Sequence, residues 1–208
     1  MLNRYARAFF TKLLTPVAAV LIRLGISPDV VTIIGTLGVC FGSLAFYPRG
    51  EFLVGTLIIT VFVFSDSLDG IMARRIGRSG NWGAYLDSTL DRVGDAAIFG
   101  GLVLYYAGRG QDESSLAPLM AGLALTCLIL GSVVSYAKAR AEGLGMTANV
   151  GIAERADRLV VVLVTTGFVG WFLPEVVLAV VLALLALASL VTVVQRMLEV
   201  RRQALGAA

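Results

Sequence analysis

Five of the eight aspartates in this chain, Asp66, Asp69, Asp87, Asp91 and Asp95, fall within thirty residues, at the ends of two long apolar runs. Histidine is absent, so a general base must be a carboxylate or, failing that, a Tyr, Lys or Cys. An ionisable side chain in a membrane-like stretch marks a functional site by default. Adjacent carboxylates also repel one another and lose hydration near lipid, so they need strong compensation. Divalent cations supply it best, and hard oxygen ligands suit Mg²⁺ or Mn²⁺. Asp66, Asp69, Asp87 and Asp91 are generous for one ion, and two close ions would clamp a phosphoryl group undergoing displacement. Asp66, Gly70 and Ala73 share one helical stripe with Asp69 beside it, and Gly83, Asp87 and Asp91 stack at spacings of four. Gly70, Ala73 and Gly83 clear room for a phosphate to approach the backbone, and Arg74 offers it a planar fork of donors. Taken singly, Gly70 or Gly83 reads better as close helix packing, and Arg74 as a charge set by membrane topology. Asp95 continues the stripe one turn deeper and reads as a supporting partner of Arg92 or another buried donor.

The elements that must hold these residues are membrane helices. The chain is 58% hydrophobic, and residues 30–47, 116–137 and 176–195 carry no charge. Each run matches the roughly 20 residues that cross a hydrocarbon core. Less clean apolar stretches at 52–75, 84–108 and 154–173 bring the expected total to six spans. The fold class is an all-α integral membrane protein, with residues 1–208 as one domain: a juxtamembrane helix over 1–25 and a six-helix bundle over 30–202. Leu2, Tyr5, Phe9, Leu13, Val17, Val20 and Leu24 recur every three or four residues, which predicts an amphipathic surface helix rather than a signal peptide. Of the 17 Lys and Arg residues, Arg49 and Arg109 alone fall in connections on the far side, so both termini and the aspartates face the cytoplasm. The net charge of +3 expresses this bias and implies no nucleic-acid partner. Cys40 and Cys127 lie inside apolar runs as small core residues, and without histidines they do not suggest a zinc site.

Asp66-x-x-Asp69-Gly70-x-x-Ala73-Arg74, then Gly83-x-x-x-Asp87-x-x-x-Asp91, resembles the signature of the CDP-alcohol phosphotransferase family, with every position and the intervening spacing kept. The resemblance covers almost the whole chain. It implies a homodimer in the cell membrane that joins a CDP-linked lipid to an alcohol and releases CMP. It also implies that Asp66, Asp69, Asp87 and Asp91 hold two divalent ions per subunit, and that Asp91 accepts the proton of the attacking hydroxyl. Gly70, Arg74 and the Ser79-Gly80 turn would contact the nucleotide part of CDP-diacylglycerol. The family's Pro-Asn-x-x-Thr stretch reads here Pro28-Asp29-Val30-Val31-Thr32, with Asp in place of Asn, and a proline-bounded helix start explains it equally well.

The alcohol must be read from the remaining charges on the cytoplasmic side. Lys138 ends one uncharged span and Arg196 follows another. Turned inward, with Ser135, Arg155 and Arg158, they would hold a phosphate beside the metal site. Ser135-Tyr136-x-Lys138-Ala139-Arg140-Ala141-Glu142 and Glu154-Arg155 resemble the actinobacterial phosphatidylinositol phosphate synthases, whose acceptor is inositol 3-phosphate. Glycerol 3-phosphate, the acceptor of phosphatidylglycerophosphate synthases, is the rival, and topology alone would also put Lys and Arg here. A divalent-ion transporter fits less well, because no series of acidic positions runs along spans four to six.

Overall fold

The computed structural model describes residues 14–77 and 80–206, apart from the side chains of residues 65–67. The first half of the expected surface helix, Ser79 and the Asp66 side chain lie outside the described residues. The described chain contains helices and turns and no strand.

A short apolar helix, α1 (Leu14–Arg23), turns at Gly25 into α2 (Pro28–Phe46). Ser27 caps α2, its Oγ accepting from the Val30 amide at 3.4 Å, and Pro28 supplies a first-turn φ suited to helix. A 3₁₀ turn, Tyr47–Arg49, leads to α3 (Phe52–Val63), and after a break at Phe64 the chain continues as α4 (Ser65–Arg75). Next come α5 (Asn81–Tyr106), the single turn α6 (Gly110–Glu113) and α7 (Ala117–Glu142). A long loop precedes α8 (Arg155–Val169), and α9 (Glu175–Gly206) ends the described chain.

Neighbours close into a ring: α2 packs on α3 and α5, α5 on α7, α7 on α9, α9 on α8, and α8 back on α3. Val39, Ile59, Ile98, Leu102, Met120, Ala124, Val162, Leu178 and Leu182 fill its centre. The α2–α3 side is the tightest. A Cβ at Gly55 would lie 3.0 Å from the Gly42 carbonyl oxygen and one at Gly42 would lie 3.3 Å from that of Gly55, the close backbone approach that small residues permit between membrane helices.

Among the described residues four helical stretches are long and apolar enough to cross a membrane: Pro28–Arg49, Phe52–Arg75, Ala117–Glu142 and Glu175–Gly206. The other two expected spans differ for physical reasons. The 26 residues of α5 carry Asp87, Asp91, Arg92 and Asp95 in their first half. The 15 residues of α8 reach only about 22 Å, against an expectation that ran to residue 173. Helix α8 ends at Val169, and at Gly170 the backbone passes so close to α3 that a Cβ would lie 2.5 Å from the Leu53 amide nitrogen.

The end of the ring away from the aspartates is sealed. Tyr47, Phe52, Tyr105 and Tyr106 form an edge-to-face cluster, with Tyr47 and Thr56 hydroxyls 2.8 Å apart. Tyr105 donates to Glu113 at 2.8 Å. The Arg109 guanidinium, and then the Tyr105 hydroxyl, hold the Glu113 carboxyl below the usual carboxylate range.

Candidate active site

At the opposite end, the last turns of α4 and the first turns of α5 face a common cavity. Asp69 and Asp87 line one cavity of about 600 Å³, together with Asp29, Thr32, Gly70, Ala73, Gly80 and Gly83. The glycines here are not helix contacts. A Cβ at Gly83 or Gly80 would meet nothing within 4 Å, and one at Gly70 would meet only the Arg74 guanidinium, at 3.5 Å. They widen the cavity, so phosphate clearance explains them better than packing.

Two bonds tie the start of α2 into this wall. The Thr32 hydroxyl lies 2.5 Å from Asp69 Oδ2 and 3.2 Å from the Pro28 carbonyl, either of which it can donate to. Trp82 Nε1 donates to Asp29 Oδ2 at 3.1 Å, joining α5 to α2. Asp29 and Thr32 thus face the cavity, while Val30 and Val31 do not. Val31 is buried against Ala18, Ile71 and Met72, and the exposed Val30 contributes its amide to the cap of α2. Helical periodicity separates them: positions 28, 29 and 32 turn toward the cavity and 31 toward α1 and α4.

Asp91 stands deeper. With Thr32, Thr36, Phe62 and Arg155 it lines a small cavity of about 40 Å³ between α2, α3, α5 and α8. It also lines a third cavity, of about 880 Å³, on the far side of α5. Ser135, Lys138, Arg155 and Arg196 are brought together on that third wall, with Arg92, Glu142 and Glu154. Arg158 is not. It is buried at 3% exposure with its guanidinium against Gly131, and Nη1 donates to the Ala153 carbonyl at 3.4 Å. One helical turn beyond Arg155, it points into the bundle and supports the start of α8.

The basic residues of this wall are engaged. Arg155 Nη1 lies 2.8 Å from Asp91 Oδ1, its Nε 3.1 Å from Asp95 Oδ1, and its Nη2 3.4 Å from the Asp91 carbonyl. One planar fork thus holds two carboxylates from consecutive turns of α5. Arg92 adds a 3.5 Å pair to Asp95 and donates to the Ser135 hydroxyl. Asp95 is therefore a supporting ion-pair partner, with Arg155 joining the expected Arg92. Lys138 pairs loosely with Glu142 at 4.0 Å. Arg196 donates to the Val150 and Val134 carbonyls at 3.0 and 2.5 Å. Tyr136, from the Ser135-Tyr136 stretch, completes the wall with Tyr85, Ser88, Thr89 and Ser132, hydroxyls the sequence reading did not single out. Their signal was polar residues recurring on the α5 and α7 faces that border Asp91.

The donor set of the first cavity fits a hard divalent cation, since Asp69 and Asp87 offer carboxylate oxygens to a shared solvent-accessible space. Among the described residues no three acidic side chains close a metal site by themselves, and the Asp66 side chain is not among them. The arrangement as a whole can hold a diphosphate in one cavity and a second anion in the other, with a carboxylate between.

Residues 25–194 match the CDP-alcohol phosphatidyltransferase family. The chain is 54% identical over 209 residues to the phosphatidylinositol phosphate synthase of Streptomyces avermitilis, covering 98% of this chain and 84% of that protein. The crystal structure of the Mycobacterium tuberculosis phosphatidylinositol phosphate synthase with CDP-DAG bound matches at a TM-score of 0.84 and 41% identity, over 91% of this chain and 94% of that one. The same M. tuberculosis protein in complex with manganese and citrate gives a TM-score of 0.83 at 41% identity, over 90% and 88%. An ion transporter is excluded by this kinship, and the aspartate signature has the company its spacing implied: the chain belongs to the CDP-alcohol phosphatidyltransferase family.

Proposed function

We propose that this chain transfers a phosphatidyl group from CDP-diacylglycerol to a hydroxyl of 1D-myo-inositol 3-phosphate, releasing CMP. What carries the reading is Asp91, which borders both the small cavity that reaches Thr32 and the basic cavity that holds Lys138 and Arg196. The synthases of S. avermitilis and M. tuberculosis support it by similarity along nearly the whole chain.

The CDP head group occupies the cavity of Asp29, Thr32, Gly70 and Gly80, with the Arg74 guanidinium beside Gly70. Asp66, Asp69, Asp87 and Asp91 would hold Mg²⁺ or Mn²⁺, two ions per subunit, which neutralise the diphosphate and the departing CMP. Thr32 orients Asp69, and Trp82 fixes Asp29. The acceptor phosphate is held by Lys138, Arg196 and Ser135, with Arg155 between it and Asp91. The acceptor hydroxyl oxygen attacks the phosphatidyl phosphorus as its bond to the CMP oxygen breaks, and the hydroxyl proton passes to Asp91. The hydroxyl-rich wall of Tyr85, Ser88, Thr89 and Ser132 suits a polyol ring better than the short chain of glycerol 3-phosphate.

All six long segments cross the cell membrane as one domain, with α1 along its surface, both termini and the site facing the cytoplasm, and two copies forming a homodimer. The deciding experiment is CMP release by purified protein from CDP-diacylglycerol with Mg²⁺ and a panel of acceptors. Inositol 3-phosphate is used and free inositol poorly or not at all. Preference for glycerol 3-phosphate would keep the reaction class and overturn the acceptor.

A further inference from the structure

We infer that Thr192 and Gln203 are positioning residues: with Arg196 they form a column on α9 that pins the α7–α8 loop and thereby sets Arg155 against Asp91. The inference rests on the phosphatidyltransferase reading above. Spacings of four and seven put the three side chains on one helix face. Each grips loop backbone, and Gln203 also reaches the Thr147 hydroxyl at 3.3 Å. The Thr192 hydroxyl accepts from the Ile152 and Ala153 amides at 3.2 and 3.1 Å and donates to the Ala188 carbonyl at 2.8 Å. Arg196 donates from Nε to the Val150 carbonyl at 3.0 Å. Gln203 takes both polar groups of one residue: Oε1 accepts from the Thr147 amide at 3.0 Å and Nε2 donates to the Thr147 carbonyl at 2.7 Å. Glu199, one turn back, accepts from the same Nε2 at 2.8 Å and braces the amide.

The loop is built for this grip. Ala148 and Ala153 are buried, and Thr192 is fully so. Gly151 has φ +141°, and a Cβ there would lie 2.4 Å from Thr192 Cγ2. Helix α8 has no side-chain cap of its own, since Glu154 makes no capping bond. Thr192, from another helix, fixes the two amides just before it. Arg155 is the first residue of α8, two positions past Ala153. Where the loop rests therefore decides where the Arg155 fork meets Asp91 and Asp95. Of the three, Arg196 also lines the acceptor cavity, so Thr192 and Gln203 isolate the positioning role.

The test uses the full chain in detergent with Mg²⁺ and CDP-diacylglycerol. Thr192→Val keeps the shape and removes the hydroxyl, leaving the Ile152 amide and the buried Ala153 amide without that partner. It should raise the acceptor KM roughly tenfold and lower kcat, with the CDP-diacylglycerol KM unchanged to within about twofold. Amide hydrogen exchange over 147–155 should quicken in the same variant. Thr192→Ser keeps the acceptor oxygen and should restore both readings. Gln203→Ala, at the half-buried end of the column, should show a smaller effect of about threefold on the acceptor KM and folds even if Thr192→Val does not. Unchanged acceptor KM and exchange in both variants would overturn the inference. So would an equal rise in both KM values, or a Thr192→Ser as impaired as Thr192→Val. Failure of the function reading is seen separately, as wild-type protein that releases no CMP with any acceptor. Loop exchange in Thr192→Val then still tests the column.

Discussion

Asp91 owes its character to the fork that faces it. Arg155 pairs with its carboxylate at 2.8 Å and aims it, and Asp95 holds the same guanidinium from the next turn. Asp91→Asn should lower kcat by about 10²–10⁴-fold, the usual cost of losing a general base, in a CMP-release assay. Near-normal turnover would remove Asp91 from proton transfer. Arg155→Lys keeps the charge but cannot span two carboxylates, so kcat should fall while CDP-diacylglycerol KM holds. Among the described residues Lys138 pairs with Glu142 alone, at 4.0 Å. Lys138→Ala should raise the acceptor KM about tenfold and spare the lipid substrate, as loss of a charge-assisted bond implies. An unchanged acceptor KM would leave Lys138 a topological charge. The shared cavity of Asp69 and Asp87 was legible from helical spacing, whereas Asp91, expected beside them, lines the two other cavities, which the spacing did not show. The Arg155 pair was not legible either, because it joins residues 60 and 64 positions apart, and no local pattern encodes that. Arg155 and Arg158 looked alike in sequence, yet one turn of helix sends the first to the cavity and the second into the core.

The helices show a similar division. Uncharged runs located α2, α7 and α9, since a lipid-facing helix tolerates charge poorly and advertises itself. The break at Phe64 stayed hidden inside one apolar run, and it separates α3 from the α4 turn that carries Asp66 and Asp69. The close approach at the end of α8 was hidden too, because Gly170 lies against Phe52 and Leu53, more than a hundred residues away in sequence. Thr192 was invisible for the same reason: a threonine in an apolar run carries no sign that it holds another segment's backbone. The α2–α3 crossing allows a direct check. Gly55→Ala puts a Cβ 2.8 Å from the Tyr47 ring and 3.0 Å from the Gly42 carbonyl, so the helices must part. Overpacking of this kind should cost about 1–3 kcal/mol, read as a lowered Tm in detergent. An unaltered Tm would mean that the crossing yields without strain.

The molecule is a ring closed at one end by aromatic side chains and hollowed at the other by three cavities, the smallest sharing Thr32 with one neighbour and Asp91 with the other. Treatment with EDTA should abolish CMP release and added Mg²⁺ or Mn²⁺ should restore it; full turnover in metal-free buffer would sink the two-ion reading. The Arg155–Asp91 pair also bears on waste. A transferase that holds an activated diphosphate in an aqueous cavity must keep water from competing with its proper nucleophile. On the proposed mechanism, the Asp91 carboxylate would stay tied to Arg155 until an acceptor arrives. An arriving acceptor phosphate would offer that guanidinium an alternative partner and release the carboxylate as its own hydroxyl comes in reach. The same ion pair would then suppress futile hydrolysis and prepare transfer. Protein given CDP-diacylglycerol and Mg²⁺ alone should release CMP far more slowly than with acceptor present, and inorganic phosphate should raise that idle rate. Equal rates with and without acceptor would show that the pair guards nothing.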